Sequence, residues 1–297
     1  MTERLEGKPV AAGTDEETQR RVRSGPTGAP PPTLVSVHRA TDSPFRFYLR
    51  RQAKAAEALG IRFREEALSP SGDMAALRTL LAGLDRDPGV HAVLLEHPLP
   101  PPFDFLAAIA ELRPEKDVDG VGSTNLGRLV AQRPLHVPAV AQAAIAIARY
   151  YRAPIEGEPV AVIGRSETVG LPLAISLAGR AEGMSATVTI AHSRTRQLGA
   201  VLARARTIFS CVGRPGLLDR TVVPEGAYVI DVGLSSVPDP ASPGGSRPAG
   251  DANAASLEGW AAGLTPVPGG VGPVTVAKLM AGVVRARDLL LASGASQ

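Results

Sequence analysis

The stretch PVAVIGRSETVGLPLA, residues 159–174, decides the fold. It joins an apolar strand to a tight turn and a helix start, and Gly164 suits a turn that a side chain would obstruct. Ser166 can donate a hydroxyl, and Gly170 lets helix and strand approach closely, so that free backbone N–H groups face an incoming phosphate. The spacing G-x-S-x-x-V-G, with Val169 at its valine, departs from the general dinucleotide fingerprint G-x-G-x-x-G. The stretch alone therefore leaves open both a nucleotide site and an ordinary strand–turn–helix connection.

The strand that follows, ATVTIAHS, runs into HSRTR without an acidic residue. An NAD site usually carries Asp or Glu at this point to hold the ribose hydroxyls. Ser193, Arg194 and Arg196 could instead hold a 2′-phosphate, and Arg165 could join them through bidentate contacts. The alternative is a solvated basic turn. The pattern favours NADP.

Apolar strands and amphipathic helices alternate on both sides of this unit. On the N-terminal side, TLVSV reads as a strand, 45–59 and 73–84 as helices, and HAVLLEHPLPPP as a buried strand ended by prolines. On the C-terminal side we predict a helix over 141–150 and strands in PVAVIG, ATVTIAHS, RTIFSCVG and GAYVIDVG. Such alternation is the βαβ signature, so we expect two parallel sheets.

Three further segments are less regular. The first 32 residues are polar, with one short helical candidate at 16–23 before the loop SGPTGAPPP, and we expect them to be partly disordered. SSVPDPASPGGSRPAG, residues 235–250, holds too much Pro, Gly and Ser to pack and is predicted to be a mobile surface loop. TVAKLMAGVVRARDLLLAS is a long amphipathic helix that needs an apolar surface to cover.

Composition restricts the class of protein. The 297 residues are 44% hydrophobic and 4% aromatic, which is typical of a soluble α/β enzyme. No apolar run is long enough for a membrane span and the start is not that of a signal peptide, so we predict a cytoplasmic protein without a membrane partner. Cys211 is the only cysteine, which excludes an intrachain disulfide and a cysteine-based zinc site, and we expect no metal. The formal charge of +3 is spread along the chain, so no nucleic-acid surface is predicted.

Three strings carry a family resemblance. They are EHPLPPP, PEKDVDGVGSTNLGRL and TPVPGGVGPVTVAKLM, with the G-x-S-x-x-V-G unit before the last. Together with the helix that contains Tyr48, they resemble the bifunctional methylenetetrahydrofolate dehydrogenase/methenyltetrahydrofolate cyclohydrolase (FolD) family, from about Thr33 to the C-terminus. The resemblance implies an α/β protein of two domains. An N-terminal folate-binding catalytic domain would span 1–138, a Rossmann NADP-binding domain 139–264, and a cleft-lining turn with a helix returning to the first domain 265–297.

The resemblance also implies the ligand contacts. The folate would lie in the cleft between the domains, with Asp119 holding the pterin ring and Tyr48 stacking on it. Pro98 and the backbone of Pro268, Gly269 and Gly270 would complete the folate site, and Gly213 the cofactor site. A carboxylate can accept two N–H bonds from the pterin, and a tyrosine offers a flat apolar face. The alternatives are an N-cap aspartate and a half-buried core tyrosine.

The sequence departs from the family pattern around the expected catalytic group. The family helix reads Y-x-x-x-K-x-K, and its catalytic first lysine is Gln52 here, while Lys54 matches the second and lies about 120° round the helix from Tyr48. Glu96 stands where the family has glutamine. Pro44 and Phe45 replace the family's A-S pair, and HVPAV replaces its P-C-T-P segment.

These departures suggest altered chemistry at Tyr48, Gln52, Glu96 and Asp119. An amide cannot exchange a proton, whereas hydride transfer needs mainly alignment, so our leading hypothesis is an NADP-dependent methylenetetrahydrofolate dehydrogenase with weak or absent cyclohydrolase activity. Glu96 would either become an alternative acid/base or simply hydrogen-bond Gln52. Two other hypotheses remain: a folate-dependent one-carbon enzyme of a specialised pathway that uses Glu96 as acid/base, and a non-catalytic folate- or nucleotide-binding paralogue. The family implies a homodimer, with ATVTIAHS as an edge strand that needs covering.

Overall fold

A computed structural model of the chain describes residues 1–26, 28–39, 43–69, 72–99, 101–239 and 245–294. The elements up to residue 150 are β1 (Glu3–Arg4), α1 (Gly7–Arg23), β2 (Thr33–Arg39), α2 (Ser43–Leu59), β3 (Arg62–Leu68), α3 (Met74–Arg86), β4 (Ala92–Leu95), α4 (Phe105–Ile109), α5 (Ser123–Val130) and α6 (Ala139–Tyr150). The later elements are β5 (Pro159–Ile163), α7 (Gly170–Leu177), β6 (Thr187–Ala191), α8 (Leu198–Leu202), β7 (Thr207–Ser210), β8 (Tyr228–Asp231), β9 (Ser235–Pro238), β10 (Ser246–Ala249), α9 (Ala254–Leu257), β11 (Gly263–Leu264) and α10 (Val271–Gly294).

The chain divides into two compact units. One, named here the folate unit after the ligand that the family resemblance implies, consists of Ala12–Ala139 with Val276–Gln297. The other, named the nucleotide unit on the same expectation, consists of Met1–Ala11 with Val140–Thr275. Among the helices of the described residues, none combines the length and the apolar character that crossing a membrane requires.

The folate unit is built on a three-stranded parallel sheet in the order β3-β2-β4. The central strand β2 is buried along most of its length, because Leu34, Val35 and Val37 have no exposed surface. Helix α3 begins at an aspartate cap: Asp73 accepts a 2.8 Å hydrogen bond from the N–H of Ala76 and so satisfies a free helix donor. Since all three strands are parallel, their carboxyl ends lie at one edge of the sheet.

Helix α10 supplies the cover for one face of this unit. Its apolar residues from Leu279 to Ala286 share a buried cluster with Leu34 of β2 and with Ala56 and Leu59 of α2. The sequence prediction that the C-terminal helix returns to the first domain is confirmed.

The nucleotide unit holds a six-stranded sheet in the order β1-β11-β8-β7-β5-β6, and every pairing in it is parallel. Val160 to Ile163 of β5 are buried, as expected for a strand that has neighbours on both sides. The predicted Rossmann-type parallel sheet is therefore present.

Three predictions are wrong: two concern irregular segments, and one concerns the domain bounds. Within residues 1–32, β1 pairs with β11 and α1 runs for 17 residues. Residues 1–11 and 265–275 belong to the nucleotide unit and not to the flanking domains we expected, because the N–H of Leu5 donates to Leu264 and that of Gly7 to Gly269. Within 235–250, β9 and β10 pair antiparallel from Ser235↔Ala249 to Pro238↔Ser246. A two-stranded ribbon tolerates its prolines because their missing N–H groups fall on unpaired sides.

Candidate functional site

Glu96 lies at the carboxyl edge of the sheet in the folate unit. It directly follows β4, and its backbone N–H donates to the carbonyl of Val37 on β2 at 2.9 Å. Only 7% of the residue is exposed. The backbone therefore holds this carboxyl group at the edge of the sheet where β2 and β4 end.

Gln52 reaches Glu96 from helix α2. It follows Tyr48 by one helical turn, has no exposed surface, and donates from Nε2 to Oε1 of Glu96 at 2.7 Å. Ser36, on β2, donates its hydroxyl to the same oxygen at 3.0 Å. The remaining polar atom of the amide, Oε1 of Gln52, is buried and has no hydrogen-bond partner among the described residues. The Gln52–Glu96 contact was one of the two alternatives that the sequence left open for Glu96. The part of Ser36 was not predicted, since a serine inside a buried strand gives no signal of its own.

The environment of Glu96 changes its acidity. Burial raises the pKa of this carboxyl group, while the hydrogen bonds from Gln52 and Ser36 oppose that effect. Both donors converge on Oε1, whose two lone pairs can accept them in either protonation state of the carboxyl group. Glu96 is thus a buried acid whose ionised form is disfavoured by burial and partly restored by two hydrogen bonds.

Asp119 lies in the D-V-D-G loop between α4 and α5. Its Oδ1 accepts the N–H of Ala139 at 3.1 Å, and Ala139 is the first residue of α6. The N-cap alternative is therefore realised in part, although for a helix 20 residues away. Oδ2 lies 4.0 Å from Nε2 of His97, and burial raises the pKa of Asp119.

Tyr48 lies near both acids. Its pKa is raised, first by burial and then by the charges of Glu96 and Asp119. The structure therefore brings all four predicted catalytic residues, Tyr48, Gln52, Glu96 and Asp119, into one interacting group. His97 was missed, although its place beside Glu96 in the string EHP was a usable signal. Pro98 follows it and is exposed.

The other α2 residues that were compared with the family pattern are only partly described by the structure. Lys54 is exposed, as expected from its position round the helix. The side chains of Pro44 and Phe45 lie outside the described residues.

The predicted phosphate turn follows β5 in the nucleotide unit. A Cβ on Gly164 would lie 2.9 Å from the carbonyl oxygen of Cys211, and one on Gly170 would lie 2.3 Å from that of Gly164. Only glycine fits at these two positions. The hydroxyl oxygen of Ser166 accepts the N–H groups of Val169 at 3.2 Å and of Gly170 at 3.4 Å, so these two donors are not free as we expected. The Ser166 hydroxyl proton is left to donate to a ligand.

The loop after β6 presents the predicted cations. Ser193, Arg194 and Arg196 are exposed, as is Arg165 in the phosphate turn. His192 shapes this loop, because its backbone N–H donates to Oγ1 of Thr195 at 2.9 Å and its Nδ1 accepts the N–H of Arg194 at 3.2 Å. A glycine turn backed by exposed guanidinium groups fits a dinucleotide that carries an extra phosphate.

Two buried aspartates brace the loops at this edge of the sheet. Asp251 accepts the Ser210 hydroxyl at 2.6 Å and the N–H groups of Val212 and Arg214, which flank Gly213. Asp231 accepts the N–H groups of Gly233, Asp251 and Ala252. Burial raises the pKa of Asp231 to about 6. The sequence did not identify either aspartate as part of the site.

Exposed apolar side chains accompany these loops. Val212 and Leu234 are 39% and 72% exposed and follow the ends of β7 and β8. Exposed apolar groups at the carboxyl edge of a Rossmann-type sheet are candidates for contact with a cofactor ring. Neither was predicted.

The proline–glycine turn ahead of α10 lies in the nucleotide unit. Pro268 is exposed, the carbonyl of Gly269 accepts the N–H of Gly7 at 2.8 Å, and the N–H of Gly270 donates to Pro266 at 2.8 Å. This backbone is fixed by its own hydrogen bonds. Its predicted part in folate binding stays a prediction.

Comparison with known proteins shows to which family this chain is related. The catalytic-domain profile of the tetrahydrofolate dehydrogenase/cyclohydrolase family matches residues 5–119, and its NAD(P)-binding-domain profile matches residues 138–289. The bifunctional protein FolD of Nocardia farcinica (strain IFM 10152) is 38% identical over 284 residues, which cover 96% of this chain and 97% of that protein.

Solved structures of similar enzymes support the same family relationship. The methylenetetrahydrofolate dehydrogenase-cyclohydrolase (FolD) of Trypanosoma brucei, solved with NADP cofactor and inhibitor, has a TM-score of 0.90 and 32% identity and covers 98% of each chain. The 5,10-methylenetetrahydrofolate dehydrogenase of the silkworm, Bombyx mori, has a TM-score of 0.89 and 30% identity over 100% of both chains. The predicted fold class, the NAD(P)-binding domain and the assignment as a tetrahydrofolate enzyme are confirmed. The chain belongs to the tetrahydrofolate dehydrogenase/cyclohydrolase family.

Proposed function

We propose that this chain oxidises 5,10-methylenetetrahydrofolate to the methenyl compound with NADP⁺ and hydrolyses that product weakly or not at all. Family membership supports the dehydrogenase. The observation that carries the second half is Gln52, a fully buried amide whose Nε2 is committed to Glu96. Hydrolysis needs a group that exchanges a proton with water, and an amide cannot do this.

The chain's own residues supply binding and orientation. In the proposal, Asp119 accepts the pterin N–H groups through Oδ2 and Tyr48 stacks on the ring. Arg165, Ser193, Arg194 and Arg196 hold the 2′-phosphate of NADP⁺, and the solved relative from Trypanosoma brucei with NADP supports this choice. The cofactor, when bound, supplies the hydride acceptor. Alignment of the donor carbon is then the main requirement, and Gln52 does not remove it.

The test is a pair of assays on the purified chain. Methylenetetrahydrofolate with NADP⁺ should yield NADPH and the methenyl compound, and added methenyl compound should decay no faster than in buffer. Hydrolysis at enzymatic rates would overturn the second half of the proposal, and lack of NADPH formation would overturn the first.

Glu96 favours a second candidate. Its pKa is raised, and among the described residues its Oε2 receives no hydrogen bond, so it could act as acid/base in another folate-dependent one-carbon reaction of a specialised pathway. Turnover of a different one-carbon folate without NADPH formation would favour this candidate. Binding of folate or nucleotide without any turnover would favour a non-catalytic binding protein.

A further inference from the structure

Charge distinguishes the site of this chain from the family pattern. The resemblance implies a lysine at position 52 and an uncharged glutamine at position 96, whereas the chain has the uncharged Gln52 and the acid Glu96. When Glu96 is ionised, the two changes together make the site more negative by two charges. The ionisable member of the hydrogen-bonded pair is thus residue 96 in this chain and residue 52 in the family pattern, and its charge has the opposite sign.

The chargeable groups near Glu96 are few. Tyr48 on α2 and Asp119 in the loop before α5 are acids, and the basic groups are His38 at the end of β2 and His97 after β4. The positive charge of Arg51, also on α2, lowers the pKa of Tyr48. His38 is engaged on its other side by Glu65 of β3, with Nε2 3.5 Å from the carboxylate. No ammonium or guanidinium group lies within ion-pair distance of Glu96 among the described residues.

We propose that Glu96 makes the folate pocket selective for the cationic methenyl form, so that the oxidised folate is retained by charge instead of being passed to hydrolysis. This inference rests on the proposed function. Gln52 and Ser36 both donate to Oε1 and fix the carboxyl group, while Oε2 receives no hydrogen bond from the described residues and is the atom that would meet a ligand.

The chemistry of the proposed oxidation creates the charge that Glu96 would recognise. One C–H bonding pair of the methylene carbon leaves as hydride to the nicotinamide of NADP⁺, and the nitrogen lone pairs delocalise to give an amidinium cation. No proton is released in this step, so the folate gains one positive charge. A buried carboxylate stabilises that cation, and the transition state that leads to it, more than the uncharged methylene compound. An ammonium group at position 52 would have the opposite effect.

Binding of the methenyl compound should therefore depend on pH. Burial raises the pKa of Glu96 in the free protein, and a bound cation favours the ionised form. Affinity for the methenyl compound should therefore increase as pH rises through the raised pKa of Glu96. Glu96→Gln isolates this dependence, because it removes the titrating carboxyl group and leaves the neighbouring His38 and His97 in place.

The experiment is equilibrium binding to the full chain without NADP⁺, with methenyltetrahydrofolate as the cationic probe and tetrahydrofolate as the uncharged one. Glu96→Gln should weaken methenyl binding by at least about tenfold and leave tetrahydrofolate binding within about twofold. The matched control is Glu57→Gln, an exposed acid on α2, the helix that carries Gln52, and this variant should change neither affinity.

Three outcomes would overturn the inference. Equal losses for both probes would assign Glu96 a structural role, and unchanged methenyl affinity would exclude a charge effect. A methenyl-to-tetrahydrofolate affinity ratio of the unaltered chain that does not change with pH, from the ordinary titration range of a carboxyl group up to neutrality, would do the same without any variant. Each of these leaves the proposed dehydrogenase intact, whereas an unaltered chain that binds neither folate would remove the proposed function as well.

Discussion

Asp117 and Asp119 stand two residues apart in one loop and have different partners. Asp117 accepts the N–H groups of Gly120 and Gly122 and the side-chain amide of Asn125, so its carboxylate is used up inside the loop. Among the described residues, Asp119 accepts one backbone N–H, and its second oxygen lies 4.0 Å from His97 and receives no hydrogen bond. The first aspartate builds the loop, and the second is the one that we propose for folate binding.

Substitution of the two aspartates should separate stability from binding. Asp117→Ala strands several buried donors and should lower the free energy of unfolding by at least about 2 kcal/mol. Asp119→Asn should cost much less stability yet weaken folate binding. Denaturant titration and folate titration of both variants check this, and a reversed order of the two effects would contradict the assignment.

Gln52→Lys should restore hydrolysis of the methenyl compound, because residue 52 already lies beside Glu96 and Tyr48. General acid–base assistance is worth roughly 10²–10⁴-fold, so even partial rescue is measurable. A lysine next to ionised Glu96 would be held charged and accept protons poorly, so Gln52→Lys combined with Glu96→Gln should hydrolyse faster than the single variant. Failure of both variants to exceed buffer would show that residue 52 is not the missing element.

The cofactor site should prefer NADP⁺ to NAD⁺ by about 1.5–3 kcal/mol if one charged bidentate contact to the 2′-phosphate forms. Arg194→Ala should remove most of this preference and leave NAD⁺ binding nearly unchanged. Arg128→Ala, an exposed arginine in the folate unit, is the matched control. Equal affinities of the unaltered chain for the two nucleotides, measured by titration, would remove the claim.

We expect a homodimer through the free edge of β6. This strand ends the six-stranded sheet, and Ile190 on it is 41% exposed. An uncovered strand edge with apolar side chains favours pairing with another strand. Light scattering at micromolar concentration should give the dimer mass, and Ile190→Arg should shift it to the monomer; a monomer mass for the unaltered chain would end the proposal.

Asp231 should make stability depend on pH in an unusual direction. Its folded-state pKa is raised from 3.8 to about 6, so the folded state binds more protons than the unfolded state between these values. Stability should therefore fall, by about 2–3 kcal/mol, as pH rises from about 4 through 6. Asp231→Asn carries a constant cost but lacks this pH dependence, so the difference between the two unfolding curves across pH isolates the effect. A difference that stays constant from pH 4 to about 7 would mean that the backbone donors hold Asp231 ionised.

The sequence predicts the regular part of the fold because buried parallel strands are apolar runs that end in Gly or Pro. It fails at β3, whose sequence RFREEAL is polar because the strand lies at the sheet edge with mostly exposed side chains. It fails at α1 for a similar reason, since the many charged residues of that helix conceal its buried positions Val10 and Thr18.

The residues of the candidate site also fall into two groups, those that the sequence reveals and those that it does not. Motif residues such as Gly164 and Asp119 are visible in the sequence because their spacing is specific. Ser36, Asp231 and Asp251 are not, because each acts through partners distant along the chain, such as Asp251 with Ser210. Contacts of this kind depend on tertiary placement, which no local pattern encodes.

The pairing of β1 with β11 joins Glu3 to Gly263 and Arg4 to Leu264, almost the two ends of the chain. During synthesis on the ribosome, β1 emerges long before β11 and cannot form this pairing until the intervening residues have been translated. The six-stranded sheet therefore closes late, after its other strands have already been made.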